Sequence, residues 1–200
     1  MEVSSVVIPQ RVCKDTPPKI PLDIPIHHLE IDHLYQQTLK SAKEPSEALA
    51  EFYGSVYYHT NPISVYTDGS CLDNGEEFAV AGSGVCYGIE SHKNMSRRVL
   101  GPGKPTNNRG EAYAVLLVLM EIDPRRTLVI YTDSTYVIKE CCFYAGKHLS
   151  MGWKIPNGDL LKDMCSLLKH RLASTTFVWV KGHSGNPLND KADALAKEAA

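Results

Sequence analysis

An α/β fold with a mixed sheet flanked by helices is what this sequence predicts. Three strand-like runs follow one another with no helical pattern between them, which implies an antiparallel section. Helical and strand-like runs then alternate, which implies a parallel section. With 43% hydrophobic residues in 200, the chain can build one substantial core and an appendage.

The opening stretch through Ile26 carries Pro9, Pro17, Pro18, Pro21 and Pro25 with little periodicity, and reads as an extended or disordered arm. Helical spacing follows around Leu29 to Ala42. A second helix is opened by Pro45-Ser46 and continued by Ala48, Leu49 and Phe52. After Asn61-Pro62 the pattern becomes β-branched and aromatic, so residues 1–60 are expected to form an extension of unknown role and residues 61–200 the main domain.

Five strands are expected within that domain: Ile63 to Ser70, Gly82 to Ile89, Met95 to Leu100, Leu128 to Thr132 and Thr176 to Val180. Helices are expected at Asn108 to Ile122, Ser134 to Ala145, Asp159 to Arg171 and Pro187 to Ala199. In the first of these, Ala112, Val115, Leu116, Leu119 and Ile122 form one stripe, which leaves Glu111 at its edge in the first turn.

Composition narrows the function classes. No run approaches the ~20 apolar residues of a membrane-spanning helix, and the first residues lack the pattern of a secretory signal. The six cysteines form no CxxC pair, so neither a zinc site nor a disulfide framework is suggested. The expectation is a soluble intracellular protein, cytoplasmic or nuclear, that is not secreted and contacts no membrane. Residues 61–200 carry 16 basic and 15 acidic side chains. If four of those acids were neutralised by bound cations, the domain would present a modestly cationic surface suited to phosphates.

Two strands end in nearly the same phrase, Tyr66-Thr67-Asp68-Gly69-Ser70 and Tyr131-Thr132-Asp133-Ser134. The carboxyl ends of parallel strands are where ligands bind in such sheets, so two aspartates converge there. Thr106-Asn107-Asn108-Arg109-Gly110-Glu111 adds a carboxylate at a helix start just before the second of these strands. Crowded carboxylates repel unless divalent cations hold them, and hard oxygen donors suit magnesium or manganese. Further on, Lys181-Gly182-His183-Ser184-Gly185-Asn186 forms a glycine-flanked loop, followed by Asn189-Asp190-Lys191-Ala192-Asp193-Ala194-Leu195-Ala196.

These four segments, in this order and at these spacings, resemble the type 1 ribonuclease H family over about Ile63 to Ala200. The resemblance implies the ribonuclease H-like five-stranded sheet, its first three strands antiparallel and the rest parallel. It implies an endonuclease that hydrolyses the RNA strand of RNA/DNA hybrids with two magnesium ions, manganese being a substitute, and leaves 5′-phosphate and 3′-hydroxyl ends. On it, Asp68, Glu111, Asp133 and Asp193 hold the metals, Asp68 bridging both, and His183 assists proton transfer or product release. It also implies that Asn74, Asn107 and Asn108 reach the minor groove, that Ser70 lies with Glu111 against the RNA strand, and that Lys104, Thr106 and Asn157 grip a DNA phosphate.

This chain departs from the family pattern in charge. Glu76 and Glu77 stand where cations would help, and Lys139, Lys147, His148 and Lys154 are the main cations of the segment that resembles the family's substrate handle. Weak or strongly salt-dependent hybrid binding is expected. Residues 1–60 do not resemble a hybrid-binding module, which suggests a protein partner or a polyprotein context for them. Two alternatives remain at this stage: a module of the same fold that binds nucleic acid without effective catalysis, and a DNA nuclease on a related fold.

Overall fold

The computed structural model describes residues 52–200, together with the backbone of two short strands, β1 (Val6–Val7) and β2 (Arg11–Val12). The proline-rich arm apart from those strands, the first expected helix, and the part of the second expected helix before Phe52 lie outside the described residues; Phe52 and Tyr53 are helical. Six further strands follow: β3 (Ser55–Val56), β4 (Ile63–Leu72), β5 (Val80–Cys86), β6 (Met95–Arg98), β7 (Leu128–Thr132) and β8 (Thr175–Trp179). The described helices are α1 (Asn107–Glu121), α2 (Thr135–Cys142), α3 (Ala145–Ser150), α4 (Gly158–His170) and α5 (Pro187–Ala199).

The main sheet runs β1-β8-β7-β4-β5-β6. Its five longer strands are the mixed sheet expected: β4, β5 and β6 are antiparallel neighbours, while β7 lies parallel to β4 and β8 parallel to β7. The two-residue β1 adds an antiparallel rung to the β8 edge, and β2 pairs separately with β3. The central strand is thus β4, whose partners change along its length. Its parallel register with β7 closes at Thr67 opposite Thr132, whereas its antiparallel pairing with β5 continues to Leu72.

Two helices sandwich the β4–β5 part of the sheet, and each comes very close. On one face a Cβ at Gly69 would stand 2.1 Å from the Glu111 backbone nitrogen. On the other, Cβ atoms at Gly82 and Gly84 would stand 2.1 and 2.0 Å from the carbonyl oxygens of Ala196 and Ala192. Glycine is the residue that admits such backbone approach. The buried Ser83 hydroxyl adds a hydrogen bond to the Gly110 carbonyl at 2.6 Å, which fixes α1 across β5.

The expected stripe of α1 is buried throughout, and so are Ala114 and Val118, which lie off that stripe. The helix is enclosed because α4 packs on it from the side away from the sheet. The resulting core joins Val65, Ile130 and Phe177 of the sheet to Leu161, Met164 and Leu168 of α4. It reaches back to Phe52 and Tyr53, both buried, and the Tyr53 hydroxyl donates to the Cys141 carbonyl at 2.5 Å.

The helix expected over Ser134 to Ala145 is shorter, and a further helix that was not expected follows it. The run from Ser134 stops at Cys142, where the amides of Phe143 and Tyr144 both donate to the Lys139 carbonyl, and α3 begins separately at Ala145. This places His148 inward, bonded through Nε2 to Glu140 and flanked by the rings of Tyr144 and Trp153. His148 is therefore not among the surface cations of this segment, whereas Lys139, Lys147 and Lys154 are exposed.

Candidate active site

The register of the parallel strands assembles the site. Thr67, Thr132 and Trp179 stand side by side on β4, β7 and β8, so the next residue on the first two strands is Asp68 and Asp133. Asp68 lies within β4 rather than at its end, because β5 carries the strand on after β7 has stopped pairing. Asp133 follows β7 directly, and the Trp179 indole donates to its carbonyl at 3.1 Å. Glu111 enters from α1, whose first turn is capped by the Thr106 hydroxyl accepting from the Arg109 amide at 3.1 Å.

Carboxylate oxygens of Asp68, Glu111 and Asp133 lie within 4.8 Å of one another. Asp68 and Glu111 are buried, and Glu111 Oε2 has no hydrogen-bond partner. Burial pushes Asp68 up to about 7; the negative charges of Asp133 and Asp193 add to this, and the Gly69 amide and Lys197 oppose it. Glu111 is held well above the ordinary carboxylate range, first by burial and then by the charges of Asp68 and Asp133. Asp133 is also raised by burial, against an Asn189 hydrogen bond and the nearby charge of His183. Such a cluster cannot ionise fully without a cation. Three hard oxygen donors and an unpartnered buried oxygen fit a divalent ion of the magnesium or manganese kind.

Asp193 comes near from α5 but stands outside this triad. It is close enough to raise Asp68 and Asp133, yet its Oδ2 accepts from Lys197 Nζ at 2.6 Å. His183 is exposed in the loop before α5 with a φ of 51°. Gly182 lets that loop close on the site, since a Cβ there would stand 2.4 Å from Asp133 Oδ2.

Six of the seven residues expected to touch substrate line one groove of about 800 Å³: Asn74, Lys104, Thr106, Asn107, Asn108 and Asn157. Ser70 is the exception, half-buried on β4 two residues beyond Asp68. The beginnings of α1 and α4 both face this groove. Helix N-termini carry free amides and partial positive charge, which favour an anion.

Three contributors had no assigned role in the sequence reading. Arg109 is 1% exposed, and its two Nη atoms donate to the Asp159 carboxylate at 3.0 and 2.6 Å, which joins the start of α1 to the start of α4. Asn189 is buried on α5 and supports Asp133. Tyr136 accepts from the Asn157 amide at 3.1 Å and so orients it. Arg109 and Asn189 belong to the motifs already singled out, but nothing local signals the partners on which their roles depend.

Comparison with known proteins agrees with this geometry. The RNase H family model matches residues 60–200. The chain belongs to the ribonuclease H family. Ribonuclease H of Francisella tularensis subsp. novicida is 34% identical over 152 residues, covering 72% of this chain and 94% of the relative, and that of Francisella philomiragia matches equally. Among solved structures, LC9-RNase H1, a type 1 RNase H with the type 2 active-site motif, superposes with a TM-score of 0.51 at 27% identity, covering 71% of this chain and 73% of that one. The foamy viral protease-reverse transcriptase in complex with dsDNA superposes with a TM-score of 0.55 at 22% identity, a likeness of fold, over 70% of this chain and 97% of its own. Among the described residues, no helix is long and apolar enough to cross a membrane.

Proposed function

We propose that this ribonuclease H-family chain is a metal-dependent endonuclease that cuts the RNA strand of RNA/DNA hybrids and leaves 5′-phosphate and 3′-hydroxyl ends. The observation that carries the reading is the convergence of Asp68, Glu111 and Asp133 around the unpartnered Glu111 oxygen. Two magnesium ions, or manganese in their place, would supply an activated water and stabilise the leaving oxygen. Asp68, Glu111, Asp133 and Asp193 would hold these ions.

The chain's own residues supply the rest. His183, exposed at the site and within charge reach of Asp133, takes or delivers a proton at the reacting phosphate. Ser70, Asn107 and Asn108 are short donors and acceptors of the kind that distinguish a 2′-hydroxyl from its absence. Lys104, Thr106 and Asn157 line the groove that takes a phosphate of the DNA strand, and Asn74 lies at the same groove toward the minor-groove side. Residues 61–200 constitute the nuclease domain on this reading, and residues 1–60 attach it to a protein partner or a polyprotein.

The test is digestion of an end-labelled RNA/DNA duplex with magnesium or manganese, beside all-DNA and all-RNA duplexes of the same sequence. The hybrid should be cut in its RNA strand, and Asp133→Asn should lower kcat by at least about a hundredfold while still binding the duplex. Wild-type protein that binds the hybrid but cuts nothing with either metal would instead make it a binding module. Preferential cutting of the DNA duplex would make it a DNA nuclease.

A further inference from the structure

The groove is notable for how little free positive charge it holds. Two cations line it, Lys104 and Arg109. Arg109 is buried and both of its Nη atoms engage Asp159, so its charge is compensated inside the protein. Lys104 is exposed and forms no ion pair among the described residues. It also lines a side pocket of about 390 Å³ whose other walls include Glu76 and Glu77.

That acidic pair is held in place. The segment turns through Asp73 and Gly75 at φ values of 50° and 99°. It is closed by the Glu76 amide donating to the Asp73 carbonyl at 2.9 Å and the Ala79 amide donating to the Glu76 carbonyl at 3.4 Å. Both glutamate side chains are exposed at the rim, where they lower the potential that a strand phosphate meets as it approaches Lys104.

We propose that Glu76 and Glu77 limit the affinity of this groove for a nucleic-acid backbone, their negative charge offsetting the attraction of Lys104 for the strand phosphate. The inference rests on the reading of the groove as a strand-phosphate site. It places the expected limit on binding in one turn of the chain. It also implies a gain of function when that turn is neutralised.

The experiment compares steady-state cleavage of a labelled hybrid by the whole chain, Glu76→Gln/Glu77→Gln, Lys104→Gln and the triple variant, at low and high salt. A rim charge acts chiefly through association and is screened by salt, so the double variant should lower KM about fivefold at low salt, with kcat unmoved and the gap closing at high salt. Lys104→Gln should raise KM, and in the triple variant most of the gain from the glutamates should disappear, since the effects are coupled. If Lys104→Gln raises KM but Glu76→Gln/Glu77→Gln leaves it unchanged at low salt, this inference is overturned and the groove reading stands. If Lys104→Gln leaves KM unmoved, the groove reading fails and takes the inference with it. A gain that persists undiminished in the triple variant would also overturn the inference, because the glutamates would then not act on Lys104.

Discussion

Replacing Asp68 by asparagine should make the metal-free protein more stable while weakening the proposed metal site. Asp68 is 6% exposed, and burial with two neighbouring acids moves its carboxyl from the ordinary 3.8 to about 7. Its folded-state pKa thus exceeds its unfolded one. Between these values the folded protein binds the extra proton, so stability falls as pH rises through the window and the cost is complete above it. The difference corresponds to about 4 kcal/mol for the ionised form. Because Glu111 and Asp133 stay crowded in the variant, a gain of about 2 to 4 kcal/mol is expected above pH 7. Asparagine retains an oxygen to accept the Gly69 amide, so the change removes charge with little loss of bonding. Urea denaturation of both proteins in chelator, over a range from about pH 4 to pH 8, reads the loss of the Asp68 charge together with the relief it gives to Glu111, while titrations remote from the cluster cancel in the difference. The gap should be near zero at the acid end and largest above pH 7. Magnesium should then stabilise the wild type more than the variant. An Asp68→Asn protein no more stable than wild type at the alkaline end in chelator, or a gap independent of pH, would refute the reasoning.

Asp159→Asn should cost about 2 kcal/mol in denaturant titration, because it leaves the buried Arg109 guanidinium without its counter-charge, a penalty moderated by the 44% exposure of the Asp159 side chain. Gly84→Ala should destabilise by about 3 kcal/mol and depress cleavage, since its Cβ would stand 2.0 Å from the Ala192 carbonyl and push away the helix that carries Asp193. His183→Ala should leave stability within about 0.5 kcal/mol, as the side chain is exposed, and lower kcat by about ten- to a hundredfold. Equal kcat for His183→Ala across the pH range would remove the histidine from the chemistry.

What was legible in the sequence depended on whether the determinant was local. The strand runs around Val65, Ile130 and Phe177 and the glycine-punctuated motifs are local patterns, and the sheet order and the Asp68–Glu111–Asp133 convergence agree with them. The position of Asp68 inside β4 depends on β7 stopping while β5 continues, a property of two partners that β4 itself does not encode. The end of α2 at Cys142, three residues before the expected Ala145, carries neither glycine nor proline to announce it, and the inward His148 lies on α3, beyond the expected helix. The Arg109–Asp159 pair joins residues far apart in the chain at the starts of two helices that meet only in the fold.

The separation of Asp193 from the triad has a consequence for the proposed metal centre. Lys197 sits one helical turn further along α5 and is 58% exposed, so its bond to Asp193 is a solvent-screened i,i+4 pair worth under about 1 kcal/mol. Asp68, by contrast, is buried and destabilised by the charge of Asp193 itself. A divalent cation held by Asp68, Glu111 and Asp133 would relieve the larger cost and would weaken the repulsion between the triad and Asp193. Giving up the Lys197 pair to hold such a cation would cost Asp193 little. The buried triad would then dominate metal affinity, with Asp193 and Lys197 a smaller contribution. Lys197→Ala should accordingly lower the half-saturating magnesium concentration by about threefold or less, whereas Glu111→Gln should abolish activation by magnesium. A large shift from Lys197→Ala, with little from Glu111→Gln, would invert that order of importance.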